Sequence, residues 1–292
     1  MQWSAGNAGE RGKIDRPSPK IGVSTKEVLV ALGLALLCGL ILKLFVLEAY
    51  FIPSPSMEGT LLRGDYVLVN KLVYGLRTPR SVPFTTLRLP LVSLPGIVHP
   101  APGDVLAFEL PGALYGLPDH GSVNLVKRCV GGPGQTVEIR DGIVLVDGLR
   151  LPLTRPPLEG PAGNDMNRYI VDFGPVVVPA AGSRLLLSPN TLEPWRRLIE
   201  DEGHTAAQSP DGSVLIDGQP AGDYRVTKDY YFMLGDNLLD SFDSRTIGFV
   251  PEDRIIGKVF LIYWSTAIHP KRSRLGSLLA SVRWSRIGTI VR

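Results

Sequence analysis

The sequence predicts a mainly β protein behind a single N-terminal transmembrane helix, and three features predict it. The 292 residues include 32 glycines and 25 prolines spread without a period, the composition of many turns joining short strands. Runs such as Asp65-Tyr66-Val67-Leu68-Val69-Asn70-Lys71 and Tyr230-Tyr231-Phe232-Met233-Leu234 are rich in β-branched and aromatic residues and flanked by Gly and Asp. One apolar stretch near the N-terminus, residues 28–47, stands apart from this pattern. With 44% hydrophobic and 20% charged residues the chain is long and apolar enough for one large domain with a smaller insert. A net charge of only +3, with no basic groove or base-stacking motif, argues against a nucleic-acid partner.

Residues 1–27 read as a basic cytoplasmic tail, in which Arg11, Lys13, Arg16 and Lys20 outnumber Glu10 and Asp15. Ser24-Thr25-Lys26-Glu27 has the form of a capping box and opens the apolar run, which only Lys43 interrupts. Residues 28–47 at about 1.5 Å each span about 30 Å, the hydrocarbon thickness of a bilayer. The run is longer than a signal-peptide core and ends in Leu47-Glu48-Ala49-Tyr50-Phe51 rather than a small-x-small site, so the expectation is an uncleaved anchor. The positive-inside rule then sets the N-terminus in the cytoplasm and everything from residue 49 onward outside.

Past the anchor, residues 48–151 and 227–268 are expected to form one β-domain, with 152–226 inserted as a subdomain. Residues 78–103 are rich in proline and apolar side chains and read either as packing over the core or as an apolar surface near the membrane, the second being favoured. Asp141-Gly142 is a two-residue hairpin signal within 137–148, and a similar phrase recurs at 211–218. Residues 191–202 predict a short helix with Leu192, Trp195, Leu198 and Ile199 on one face, ended by Gly203. The last stretch, 269–292, carries Lys271, Arg272, Arg274, Arg283, Arg286 and Arg292 among apolar residues and no acid, the pattern either of a segment lying on anionic lipid or of a solvated tail.

Cys38 lies in the apolar run and Cys129 far away in the body, so no disulfide is expected, and no Cys or His spacing suits a metal or other cofactor. The histidines at 99, 120, 204 and 269 are scattered and support no Ser-His triad. Two other features carry chemistry. Pro53-Ser54-Pro55-Ser56 is held extended by its prolines, and reads either as a stiff linker or as a segment presenting hydroxyls. Strand alternation in Val123-Asn124-Leu125-Val126-Lys127-Arg128-Cys129 sets Lys127 on the face of Val123, Leu125 and Cys129. Such a lysine either reaches solvent at a sheet edge or is buried, and burial favours a neutral amine able to accept a proton from a hydroxyl.

Four stretches in order carry a resemblance: Pro53-Ser54-Pro55-Ser56-Met57-Glu58-Gly59-Thr60-Leu61; Gly64-Asp65-Tyr66-Val67-Leu68-Val69-Asn70-Lys71 with Tyr74-Gly75; Lys127-Arg128-Cys129-Val130-Gly131-Gly132-Pro133-Gly134; and Gly235-Asp236-Asn237 with Ser241, Asp243, Ser244 and Arg245. Together they resemble the boxes of the bacterial type I signal peptidases. The resemblance implies a membrane-bound serine endopeptidase on a β fold shared with the self-cleaving SOS-response repressors, removing signal peptides from exported preproteins after small residues. It implies Ser56 as nucleophile and Lys127 as general base, with Ser54 joining the Ser56 N–H in the oxyanion hole. Ser241 would orient the lysine amine, Asp243 and Arg245 would form a supporting ion pair, and Asp236 with Asn237 would be structural. It implies no metal and no cofactor. The implied home is the bacterial cytoplasmic (inner) membrane with the catalytic domain on the outer side. Implied partners are preproteins, membrane lipid and the translocation machinery. Departures are Pro55 where Gly is common, Gly59 where Pro is usual, Gln135 where Asp is frequent, and Leu238-Leu239-Asp240 where Arg-Asp-Asn is frequent. The competing readings are a non-catalytic, membrane-anchored peptide-binding β-domain and a protease that cuts only itself.

Overall fold

The computed structural model describes residues 24–75, 96, 98–112, 121–152, 172–267 and 281–292. Most of the predicted apolar loop 78–103, the tail 1–23 and residues 268–280 lie outside the described residues. The chain divides into two compact units, Met1–Ile41 and Leu42–Arg292.

In the first unit, helix Thr25–Ile41 begins where the capping box predicts. The Ser24 N–H donates to the Glu27 carboxylate at 2.9 Å, one half of the reciprocal pair, and satisfies a donor that the first turn leaves open. The helix buries none of its residues. Helical geometry continues through one π turn, and the 22 residues Thr25–Val46, about 33 Å at the standard rise, are long and apolar enough to cross a bilayer.

The second unit is built of short strands: β1 (Leu47–Phe51), β2 (Asp65–Asn70), β3 (Val105–Pro111), β4 (Ser122–Gly131), β5 (Thr136–Arg140), β6 (Ile143–Val146), β7 (Leu149–Arg150), β8 (Phe173–Val177), β9 (Arg184–Leu186), β10 (Ala206–Gln208), β11 (Val214–Ile216), β12 (Gln219–Pro220), β13 (Asp223–Arg225), β14 (Tyr230–Leu234), β15 (Val250–Pro251), β16 (Ile255–Ser265) and β17 (Thr289–Ile290). The main antiparallel sheet runs β1-β2-β16-β3-β4-β14-β15, with β17 added to β16. Side-chain alternation lets its strands wall off separate cores. Along β3, Val105 and Ala107 join Ile52, Met57, Leu61 and Val259, while Leu106, Phe108 and Leu110 join Cys129, Tyr231 and Met233. Along β14, Tyr231 and Met233 enter that second core, while Tyr230, Phe232 and Leu234 face a third one.

This third core underlies a second lobe, to which strands on both sides of residue 152 contribute. β8 pairs with β5 in a sheet ordered β7-β6-β5-β8, so residues 136–150 and 173–177 share one layer, and Val137 and Ile139 pack with Leu198, Ile199 and Val214 of the insert. Hairpin strands need an apolar partner layer, and the insert supplies it. The helix Leu192–Asp201 lies within the predicted range and buries Leu192, Leu198 and Ile199. Asp141-Gly142, Asp147-Gly148 and Asp217-Gly218 all adopt positive φ at both positions, as two-residue hairpin turns require. The recurrence seen in the sequence has a common construction. The Asp147 carboxylate accepts from the Thr136 N–H and the Asp217 carboxylate from the Thr205 N–H, each at 2.8 Å.

The end of the predicted amphipathic segment returns to the main sheet. β17 pairs with β16, Val291 is buried, and Arg283 and Arg286 approach the fully buried Asp65 at 3.6 and 2.6 Å. From residue 281 these arginines therefore serve an internal carboxylate, which also accepts from Ser265 Oγ at 2.6 Å.

Candidate active site

The stretch holding Ser54 and Ser56 leaves β1 and is pinned at both ends. The Ile52 N–H donates to the Asp65 carbonyl and the Gly64 N–H to the Ile52 carbonyl, each at 2.9 Å. Just after Ser56, Met57 and Leu61 drop into the core, and the turn closes as the Leu61 N–H donates to the Met57 carbonyl at 2.8 Å. Gly59, where the resemblance leads one to expect proline, has φ of 119°, which proline cannot adopt and other residues rarely do. Ser56 is left only 7% exposed, with its Oγ 3.1 Å from that of Ser54. No group among the described residues accepts a hydrogen bond from its main-chain N–H.

Lys127 is 3% exposed on β4, opposite Leu106 of β3. On its other side Leu234 of β14 pairs with Arg128, so continuing the register one step sets Gly235 opposite Lys127. Gly235 is also where the other site residues converge. A Cβ there would lie 2.2 Å from Ser241 Oγ and 2.5 Å from the Ser56 carbonyl oxygen, so only glycine lets the three segments close together. The Asn237 N–H donates to that same Ser56 carbonyl at 3.0 Å.

Among the described residues the Lys127 amine makes neither a hydrogen bond nor an ion pair. Burial lowers its pKa from 10.5 to about 8; the Asp243 carboxylate opposes this and the Arg245 guanidinium adds to it. About a tenth of the amine is then neutral at pH 7, far more than for an ordinary lysine, and a neutral amine accepts a proton. Ser241 Oγ is buried without a hydrogen-bond partner among the described residues, an orphan hydroxyl of the kind that marks a working site. Asp243 caps the short helix Ser244–Ile247, accepts from the Gly235 N–H at 3.1 Å, and takes two bonds from Arg245, Nε at 2.9 Å and Nη2 at 2.8 Å.

Arg128 had no role assigned from the sequence. It points opposite to Lys127, gripping buried Asp236 with Nε at 2.7 Å and Nη2 at 2.8 Å, and donates to Thr60 Oγ1 at 2.8 Å and to the carbonyl of Gly103. One guanidinium thereby ties the segment after Ser56 to the loop after β14. A charged pair of adjacent residues on a buried strand was the available signal, because alternation must send one of them to each face. Of the other departures, Leu238 packs into the core of the second lobe while Leu239 is exposed. Gln135 Oε1 accepts from the Gly132 N–H at 2.9 Å, a bond a carboxylate there could also accept. The described histidines lie elsewhere: His99 contacts Glu252 and His204 contacts Asp217.

The antiparallel sheet thus holds a buried serine and a buried lysine near one glycine, in a chain that also carries a helix of membrane length, an arrangement compatible with a serine protease. The chain belongs to the signal peptidase family, peptidase S26, whose sequence profile matches residues 25–264. A signal peptidase I from Pseudomonas aeruginosa is 30% identical over 296 residues, covering 96% of this chain and 86% of its own length. One from Aquifex aeolicus is 29% identical over 276 residues, covering 88% and 91%. A crystal structure of a signal peptidase I from Enterococcus faecalis V583 covers 56% of this chain and 98% of its own at 21% identity, with a TM-score of 0.25 that bears on neither fold nor function. The chain is thus a serine endopeptidase that removes signal peptides, and its apolar helix makes it membrane-anchored.

Proposed function

We propose that Ser56 is the nucleophile and Lys127 the general base. The observation that carries this reading is the burial of Lys127 without a counter-ion, beside the glycine that also abuts Ser56 and Ser241. Neutral Lys127 takes the Ser56 hydroxyl proton as Oγ attacks the scissile carbonyl carbon. The carbonyl oxygen becomes an oxyanion, which the Ser56 N–H and the Ser54 hydroxyl stabilise by donating to it. The C–N bond then breaks, the Lys127 ammonium gives its proton to the departing amine, and the signal peptide remains as an ester on Ser56. Water attacks the ester with Lys127 again taking the proton, and serine and a free carboxylate are regenerated. The unpaired Ser241 hydroxyl is available to orient the amine, and the Asp243–Arg245 pair holds the loop that carries it.

The substrate is an exported preprotein held by its own apolar segment and cut after small residues close to the membrane. In this reading the N-terminal tail is cytoplasmic, the catalytic unit faces the outer side of the bacterial cytoplasmic (inner) membrane, and lipid and the translocation machinery are its neighbours. The test is cleavage of a purified preprotein by the full-length chain in detergent. Wild type should cut; Ser56→Ala and Lys127→Ala should not. Absence of wild-type cleavage would favour a peptide-binding domain, and cleavage confined to the chain itself a self-processing protease.

A further inference from the structure

The inserted lobe meets the catalytic loop at a narrow contact. Helix Leu192–Asp201 presents Trp195, whose ring stacks on Phe249 with centroids 5.8 Å apart and planes at 11°. Phe249 in turn meets Phe232 of β14 edge-on at 5.9 Å. Two residues on, Arg197 Nη1 donates to the Thr246 carbonyl at 2.8 Å. A cleft of about 610 Å³ is lined by this helix and by residues 244–249. That loop begins with Asp243, Ser244 and Arg245. Ser244 Oγ accepts from the Met233 N–H at 2.9 Å, and Asp243 accepts from the Gly235 N–H, so this segment is hydrogen-bonded to β14 and to the residue that follows it.

We propose that Arg197 and Trp195 of the insert are positioning residues for Lys127, acting through the Asp243–Arg245 pair. The proposal rests on Lys127 being the base. The charged groups acting on Lys127 are Asp243, Arg245, Asp236 and Asp240, all on the loop after β14, while its partner on β3 is the apolar Leu106. No described residue of the insert is in that set. The insert fixes where the set stands and how closely the loop covers the amine. Loosening the brace admits water to Lys127, removes part of the burial that depresses its pKa, and reduces the neutral fraction.

The experiment measures preprotein cleavage against pH for the full-length chain and for Arg197→Ala, Trp195→Ala and Trp195→Phe. Arg197 is exposed, so its truncation leaves the core intact. The two alanine variants should lose about tenfold in kcat at neutral pH with KM nearly unchanged, and the acid limb of kcat should move up by about one pH unit. Trp195→Phe keeps an aromatic face and should restore the wild-type limb. A limb that stays at the wild-type position in both alanine variants overturns the proposal, whatever happens to kcat. Unimpaired cleavage by Lys127→Ala overturns the underlying assignment of the base instead, so the two failures are told apart.

Discussion

The main-chain N–H of Asn237 donates to the carbonyl of Ser56 at 3.0 Å, tying the loop after β14 to the residue read as the nucleophile. The bond forms only because Gly235 has no side chain: a Cβ there would press on that carbonyl and on Ser241 Oγ. Gly235→Ala should therefore displace Ser56 and lower kcat by about a hundredfold, the cost of misplacing a reacting group by about 1 Å. Turnover at the wild-type rate, with an unchanged melting curve, would show that the three segments do not need this fit.

The pH dependence follows from Lys127. Its pKa is about 8 in the folded chain against 10.5 as the ordinary value, so the unfolded chain binds the proton more tightly. Stability should rise with pH across that window, and below it the buried ammonium should cost on the order of 3 kcal/mol. Activity should fall about tenfold per unit on the acid side of the base's pKa. Lys127→Met should be inactive yet melt higher than wild type near pH 7, with the gap closing above pH ~10.5 as the wild-type amine loses its proton in both states. Thermal melts of both proteins at neutral and alkaline pH check the sign; a less stable Met variant at neutral pH would mean the amine is better solvated than its burial indicates.

Ser54 stands 3.1 Å from Ser56 through their hydroxyls. If it donates to the oxyanion, Ser54→Ala should lose about a hundredfold or more in kcat with little change in KM, because the bond forms only in the transition state. Retained kcat in that variant sinks the role.

Asp65 is fully buried and relies on Arg286, which contacts both of its oxygens and also donates to the Thr60 carbonyl at 2.9 Å. Arg286→Ala leaves the carboxylate to Ser265, the Leu62 N–H and the more distant Arg283, and should destabilise the fold by about 3 kcal/mol, read from the melting curve. Deleting all of 269–292 would remove β17 and both arginines together. A test of lipid docking should therefore remove only 269–280, and unchanged liposome binding after that deletion would count against docking by this segment.

Much of the local structure around the candidate site was legible because local rules write it locally. The anchor follows from an unbroken apolar run, the hairpins from Asp-Gly steps, and the rigidity of Pro53-Ser54-Pro55-Ser56 from proline sterics. The alternation of β4 put Lys127 on a face with apolar neighbours. The pairing of β5 with β8 was less legible, because the hairpin of β5 and β6 looks complete in sequence.

By itself, then, the sequence determined the anchor, the hairpin turns, and the serine and lysine whose order resembles the family's boxes. Only the tertiary structure decided that Gly235 is the point where those segments meet, that Arg128 grips Asp236, and that the arginines at 283 and 286 turn inward to Asp65. The physical reason is the range of the interactions. Turn conformation and side-chain period are set by neighbours in the chain, whereas strand pairing and the neutralisation of a buried carboxylate depend on which distant segments end up in contact.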